Sequence, residues 1–269
     1  MAHIVEDLLP GVEEVIADAA RVHEEALEHV CRFCCKHDVK GAPETARKPD
    51  GPNDVAAYID HTILKAEATP EAVKKVCAEA REHRFATVCV NSCHIALAAS
   101  ELAGSGVLPI SVVGFPFGAA SPRAKASEAM AAIDDGAREI DTVVNIGWLK
   151  AGLYREVLAD IIAVVEASRP YPVKVIIETC LLSDGEKAAA CALAKAAGAA
   201  FVKTSTGFSS SGATEADVRL MRRVVGDGLG VKASGGVRTF KDLRAMLAAG
   251  ASRIGSSNSV AIVQEAGKA

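Results

Sequence analysis

The chain has 269 residues, half of them hydrophobic and few aromatic, with 30 lysines and arginines against 34 acids and a formal charge of −4. That length and apolar fraction suit one large domain or two small ones built on a real core. The charge balance excludes a basic excess aimed at nucleic acid or an acidic membrane surface, so the expected partner is a small molecule, with no nucleic acid and no membrane.

No apolar run approaches the roughly 20 uncharged residues that span a bilayer. The opening "MAHIVEDLLPGVEEV" is too acidic for a secretory or transit signal, so the chain reads as cytoplasmic. Eight cysteines are scattered through a chain too long to be a disulfide-stapled mini-protein, and reduced thiols are expected. Cys31, Cys34, Cys35 and His37 imitate a zinc site, but no second pair follows at finger or ribbon spacing, and no metal is expected.

From Gly11 to His37 apolar residues recur at helical intervals, among them Val12, Val15, Ile16, Val22, Ala26 and Val30, which predicts one or two helices. The next stretch, "DVKGAPETARKPDGPND", has the prolines, glycines and charges of a linker. Residues 1–52 therefore read as an N-terminal helical extension and linker, and 53–269 as the main domain.

In that domain a short apolar run, a polar or glycine-bearing turn and an alanine-rich amphipathic segment repeat eight times. The strand runs are "AAYIDHT" from 56, "ATVCVN" from 86, "PISVVGF" from 109, "EIDTVVN" from 139, "VKVIIET" from 173, "AFVKTST" from 200, "GVKASGG" from 230 and "SRIGSS" from 252. Between them lie helices such as the one opened by Thr69 and Pro70 and the one closed by Gly250. Alternating strand and helix implies parallel strands with right-handed crossovers. Eight units with continuously apolar strands predict a (β/α)8 TIM barrel. The rival, an open doubly wound sheet, would carry a glycine-rich fingerprint after its first strand, where this chain has Asp60-His61-Thr62.

Barrel chemistry gathers at the C-terminal ends of the strands, so polar residues that interrupt the strands are the candidates. Lysines interrupt three neighbouring strands at Lys174, Lys203 and Lys232. Facing them are Asp60 and Thr62, Cys89 and Asn91, Asp141 and Asn145, and Glu178 with Thr179. A lone strand lysine would snorkel outward; three together facing acids argue for a site. Burial and a second lysine disfavour the ammonium form, and a fall of roughly 3 units from about 10.4 corresponds to about 4 kcal/mol of destabilised charge. The resulting neutral amine attacks carbonyl carbon, and its iminium is an electron sink for breaking the adjacent C–C bond. Glu178 reads as an ion-pair partner for Lys174 or another lysine, and Cys89 as a small apolar residue lining the pocket. The loops "SGGV" (234–237) and "GSSNS" (255–259), with Gly207, suit a phosphate held by main-chain amides.

"EIDTVVN", "VKVIIET", "FVKTSTGF", "VKASGGVRT" and "RIGSS" follow in the order and spacing of the deoxyribose-phosphate aldolase family, which the chain resembles over nearly all of residues 53–260. The resemblance implies Lys203 as the Schiff-base lysine, Asp141 as the proton carrier and Lys232 as the lysine that tunes Lys203 and serves the relay. It places Asp60, Thr62, Cys89 and Lys174 around the pocket, and Thr206, Gly207, Gly235, Gly236, Ser256 and Ser257 at the substrate and its phosphate. The implied reaction is reversible cleavage of 2-deoxy-D-ribose 5-phosphate to acetaldehyde and D-glyceraldehyde 3-phosphate, without metal or organic cofactor, by a homo-oligomer, dimer or tetramer. The chain departs from the pattern in its ending "QEAGKA", where some members carry a tyrosine, and in Asn258, where a small residue is expected. On the residues alone two alternatives stay open: a barrel aldolase for another sugar phosphate, and a phosphate-binding barrel without catalysis.

Overall fold

The computed structural model describes residues 11–30, 45–51 and 54–268. The Cys31–Cys35 cluster and His37 lie outside the described residues. The eight expected strands all form: β1 (Ile59–Thr62), β2 (Thr87–Val90), β3 (Leu108–Val113), β4 (Glu139–Val143), β5 (Val173–Ile176), β6 (Phe201–Lys203), β7 (Gly230–Ser234) and β8 (Arg253–Ser256). They pair in parallel in sequence order and β8 returns to β1, closing a (β/α)8 barrel.

Helix starts explain why the chain turns back after each strand. Thr69, Ser121, Ser183, Thr214 and Thr239 each accept a main-chain N–H of the following first turn. Pro70 and Pro122 sit where their missing N–H costs nothing. Ser183 with Glu186 and Thr239 with Asp242 complete reciprocal caps.

Strand alternation divides the side chains into two sets. Val88, Val90, Val175, Ile177, Val202, Val231 and Ile254 belong to the core shared with the helices. Inside the barrel, Cys89, Ile110 and Val112 pack with Leu64 and Phe115 on the β2–β3 side. The remaining inward positions include the charged residues Asp60, Glu139, Asp141, Lys174, Lys203, Lys232 and Arg253, with the Phe201 ring near Lys174 and Arg253. Gly230 keeps the lower end open for Phe201, because a Cβ there would lie 2.1 Å from the ring.

The extension helices Val12–Ala17 and Ala19–Val30 pack on the helix Tyr154–Ser168. Val12, Val22 and Ala26 are buried, and Arg155 binds Asp18 at 2.7 Å and Glu25 at 2.6 Å. His23 meets Glu166 at 2.8 Å. Residues 45–51 cover the start of β2 and β3, where Ala46 packs on Ala86 and Leu108.

Candidate active site at the C-terminal end of the barrel

A cavity of about 720 Å³ opens above the strand ends. Lys203, Thr62, Thr206, Gly207, Gly235, Gly236, Ser256 and Ser257 line it, together with the sequence-unremarked His61, Glu79 and Arg238. Register explains the convergence, since Lys203 pairs with Lys232 across β6 and β7, and Asp141 with Lys174 across β4 and β5.

Asp141 is the hub. Its Oδ1 accepts from Lys174 Nζ at 2.9 Å, and its Oδ2 from both Lys203 Nζ and Lys232 Nζ at 2.8 Å. Lys232 Nζ also forms an ion pair with Asp60 Oδ2 at 2.6 Å, in a geometry that is not a hydrogen bond. Asp60 Oδ1 accepts from Arg253 and from the Thr87 hydroxyl, each at 2.7 Å. Lys174 is tied to Glu139 as well. All these groups are buried.

Four cations, Lys174, Lys203, Lys232 and Arg253, thus meet three carboxylates, Asp60, Asp141 and Glu139. Fully ionised, the cluster would carry one positive charge in a medium that penalises it. Loss of a single proton removes that charge. Burial and then the repulsion of Lys232 lower the Lys203 pKa, outweighing the pull of Asp141. For Lys232 burial works the same way but is overcome by Asp141 and Asp60, and the pKa rises. For Lys174 burial is overcome by Asp141 and Glu139, again raising it. Burial would raise the Asp141 pKa, yet the three lysines hold it well below the usual carboxylate range. Lys203 is therefore the lysine of the three whose ammonium form is disfavoured, and of the three it alone lines the cavity.

Asp60, Cys89 and Lys174, expected around the pocket, are buried beneath it with Asp141 and Lys232, and none of the five lines the cavity. The physical reason is charge: Asp60 and Lys174 are held down by Arg253 and Glu139, and Cys89 joins the apolar half of the interior. Burial pushes the Cys89 thiol up to about 11, so it is no thiolate. Glu178 holds none of the lysines; its carboxylate accepts from Thr206, and Glu139 takes the role with Lys174. Asn145 caps the helix Ile146–Lys150 through Trp148 N–H, and Asn91 donates to Leu64 O at 3.2 Å. Glu139 and Arg253 went unremarked in the sequence although parity offered a signal. Each stands two residues before an inward position, Asp141 and Gly255, and so shares its face.

The loops above the floor are shaped by glycine. Gly207, Gly235 and Gly236 all take positive φ, at 87°, 80° and 78°. The main-chain N–H groups of Gly207 and Gly236 donate to no described residue. Gly255 makes room for the floor, since a Cβ there would fall 2.3 Å from Ser234 Oγ and 3.1 Å from Lys232 Cε. The Ser256 hydroxyl is spent within its loop, donating to Val237 O at 2.8 Å and accepting from Asn258 N–H at 3.0 Å.

An amine kept short of its ordinary proton affinity at the mouth of a closed parallel barrel belongs to enzymes that work on carbonyl carbon, and the aldolases are their carbon–carbon lyases. A model of the DeoC/LacD family aldolases matches residues 54–264, and the chain belongs to that family. A deoxyribose-phosphate aldolase from Thermotoga petrophila is 53% identical over 237 residues, covering 88% of this chain and 94% of its own length. Another, from Streptococcus suis, is 59% identical over 209 residues, covering 78% of this chain and 95% of its own. A solved tetrameric deoxyribose phosphate aldolase from Aeropyrum pernix superposes with a TM-score of 0.74 at 28% identity, covering 90% of this chain and 95% of that one.

Proposed function

We propose that the chain is a class I aldolase that reversibly cleaves 2-deoxy-D-ribose 5-phosphate to acetaldehyde and D-glyceraldehyde 3-phosphate. The observation that carries this reading is the Lys203–Asp141–Lys232 contact, with two Nζ atoms at 2.8 Å from one oxygen and only Lys203 on the cavity wall.

The neutral Lys203 amine adds to the C1 aldehyde, water leaves, and an iminium forms. The Asp141–Lys232 relay takes the proton of the C3 hydroxyl. As the C3–O carbonyl forms, the C2–C3 bond breaks and its electron pair moves into the iminium, giving an enamine and releasing glyceraldehyde 3-phosphate. Protonation at C2 and addition of water then free acetaldehyde and restore the amine. Lys174 and Asp60, themselves tied to Glu139 and Arg253, hold Asp141 and Lys232 at fixed charge. The main-chain amides of Gly207 and Gly236, with Gly235, Ser257 and the start of the helix Ser259–Ala266, suit the 5-phosphate.

The named relatives support the substrate, and the tetrameric Aeropyrum relative supports a homo-oligomer. Cytoplasmic location accords with the free state of the five cysteines among the described residues.

Borohydride added with 2-deoxyribose 5-phosphate should fix substrate carbon on the peptide containing Lys203, read by mass spectrometry. Lys203→Ala should abolish the label. A label on Lys174 or Lys232 would overturn the assignment, and no label in an active enzyme would overturn the Schiff base.

A further inference from the structure

Glu178 is a buried carboxylate at the strand ends that the catalytic scheme leaves unused. It follows β5, is 2% exposed, and takes a left-handed backbone at φ 56° and ψ 65°. For a residue with a Cβ that conformation costs about 1 kcal/mol or more and persists only where the surroundings enforce it. The consequence is directional, because the carboxylate meets no lysine among the described residues and engages Thr206 instead. Both Oε atoms accept the Thr206 main-chain N–H at 3.3 Å, and Oε2 also accepts the Thr206 hydroxyl. The Thr206 hydroxyl in turn accepts from Phe208 N–H at 3.0 Å. Gly207, whose N–H donates to no described residue, is bracketed between these two bonds.

The strand below does not depend on this side chain. Ile177 N–H donates to Lys203 O and Thr179 N–H to Thr204 O, both at 2.9 Å, and Thr204 N–H donates to Lys232 O at 3.0 Å. Lys203 is thus held by main-chain bonds, whereas the segment from Thr206 to Phe208 leans on one carboxylate.

We infer that Glu178 is a positioning residue for the phosphate of the substrate: through Thr206 it presents the Gly207 N–H, and it sets affinity for the phosphorylated sugar without taking part in the lysine chemistry. This rests on the proposed aldolase function. A buried carboxylate that already binds Thr206 N–H also leaves Gly207 as the amide facing an incoming anion.

The test compares kcat and KM on 2-deoxyribose 5-phosphate and on unphosphorylated 2-deoxyribose. Glu178→Gln, which keeps the shape but loses an acceptor, should raise KM for the phosphorylated sugar about tenfold, the scale of one hydrogen bond to a charged group. Its kcat should stay within about threefold, and kcat/KM on the unphosphorylated sugar should barely move. Thr206→Val, which removes the hydroxyl that donates to Glu178, should raise KM for the phosphorylated sugar by a similar factor, and the double variant should be no worse than either single one. Inorganic phosphate should inhibit Glu178→Gln correspondingly more weakly. Equal losses on both sugars, or an unchanged KM, overturn the inference while wild-type cleavage stands. A wild-type enzyme inert toward the phosphorylated sugar overturns the proposed function and this inference with it.

Discussion

Lys203 and Lys232 reach the same oxygen, each Nζ lying 2.8 Å from Asp141 Oδ2, yet they are held at opposite proton affinities. The second carboxylate separates them. Lys232 also meets Asp60 at 2.6 Å and is driven up, whereas Lys203 has only its share of Asp141 and is brought down by burial. The ammonium form is thereby favoured at Lys232 and disfavoured at Lys203.

The pH dependence follows from this difference. Adduct formation needs the neutral amine, so its rate should rise with pH through a Lys203 pKa below the ordinary 10.5. Lys232 helps to depress that value, so Lys232→Met should move the acid limb of the profile to higher pH. Trapping rates with borohydride across the pH range measure it, and a limb that stays put or moves down contradicts the electrostatic account.

Asp141→Asn separates adduct formation from bond cleavage. Asp141 raises the Lys203 pKa, so removing its charge should leave the amine at least as neutral and trapping should persist. Cleavage should fall by roughly 100-fold or more, the usual contribution of a positioned acid–base group. Comparing trapped fraction with steady-state turnover decides, and parallel loss of both would assign Asp141 a different role.

A second buried pair lies outside the site. Lys125 Nζ is 2.6 Å from Asp160 Oδ2 and donates to Val143 O at 2.8 Å, tying two helices to β4. Burial pushes Asp160 up to about 6, above its ordinary 3.8. A carboxyl raised on folding contributes most stability below its unfolded pKa and loses it as pH rises through the folded one. Lys125→Met, which leaves Asp160 without its cation, should therefore destabilise by about 3–5 kcal/mol at neutral pH and by less at pH 5. Denaturant melts at the two pH values measure this, and Asp160→Leu added to Lys125→Met should recover much of the loss.

Gly255→Ala tests how tightly the floor is packed. The new methyl would crowd Ser234 Oγ and Lys232 Cε, so Lys232 must shift from Asp141. Turnover should drop more than about tenfold with a smaller loss of thermal stability, on the scale of about 1–3 kcal/mol for overpacking. Kinetics and melting curves on the same preparation give both numbers, and unchanged turnover would mean that the Lys232 position is not critical.

Much of this was legible before the fold was seen. Each of the eight apolar runs became a strand, because continuous burial on two faces leaves a parallel strand little choice but to be apolar. Lys174, Lys203 and Lys232 stood out because a lysine in such a run demands a partner. Which of them faces the cavity was not legible, since it depends on height along the barrel axis, and that is set by register between strands far apart in sequence. Glu139 and Arg253 escaped notice at the strand starts, where charged residues are ordinary. Glu178 was misjudged because chain position suggested a lysine partner, while its left-handed backbone turned the carboxylate to Thr206.

Because β8 closes on β1, no strand of this barrel has a free edge along which it could slide. The Lys203–Lys232 pairing is locked by seven other strand contacts, and a one-residue deletion in β6 would send the nucleophile outward among the helices. The loops are free of this constraint, but these strands keep time for one another. Their residue count is as much a catalytic constraint as the lysines are.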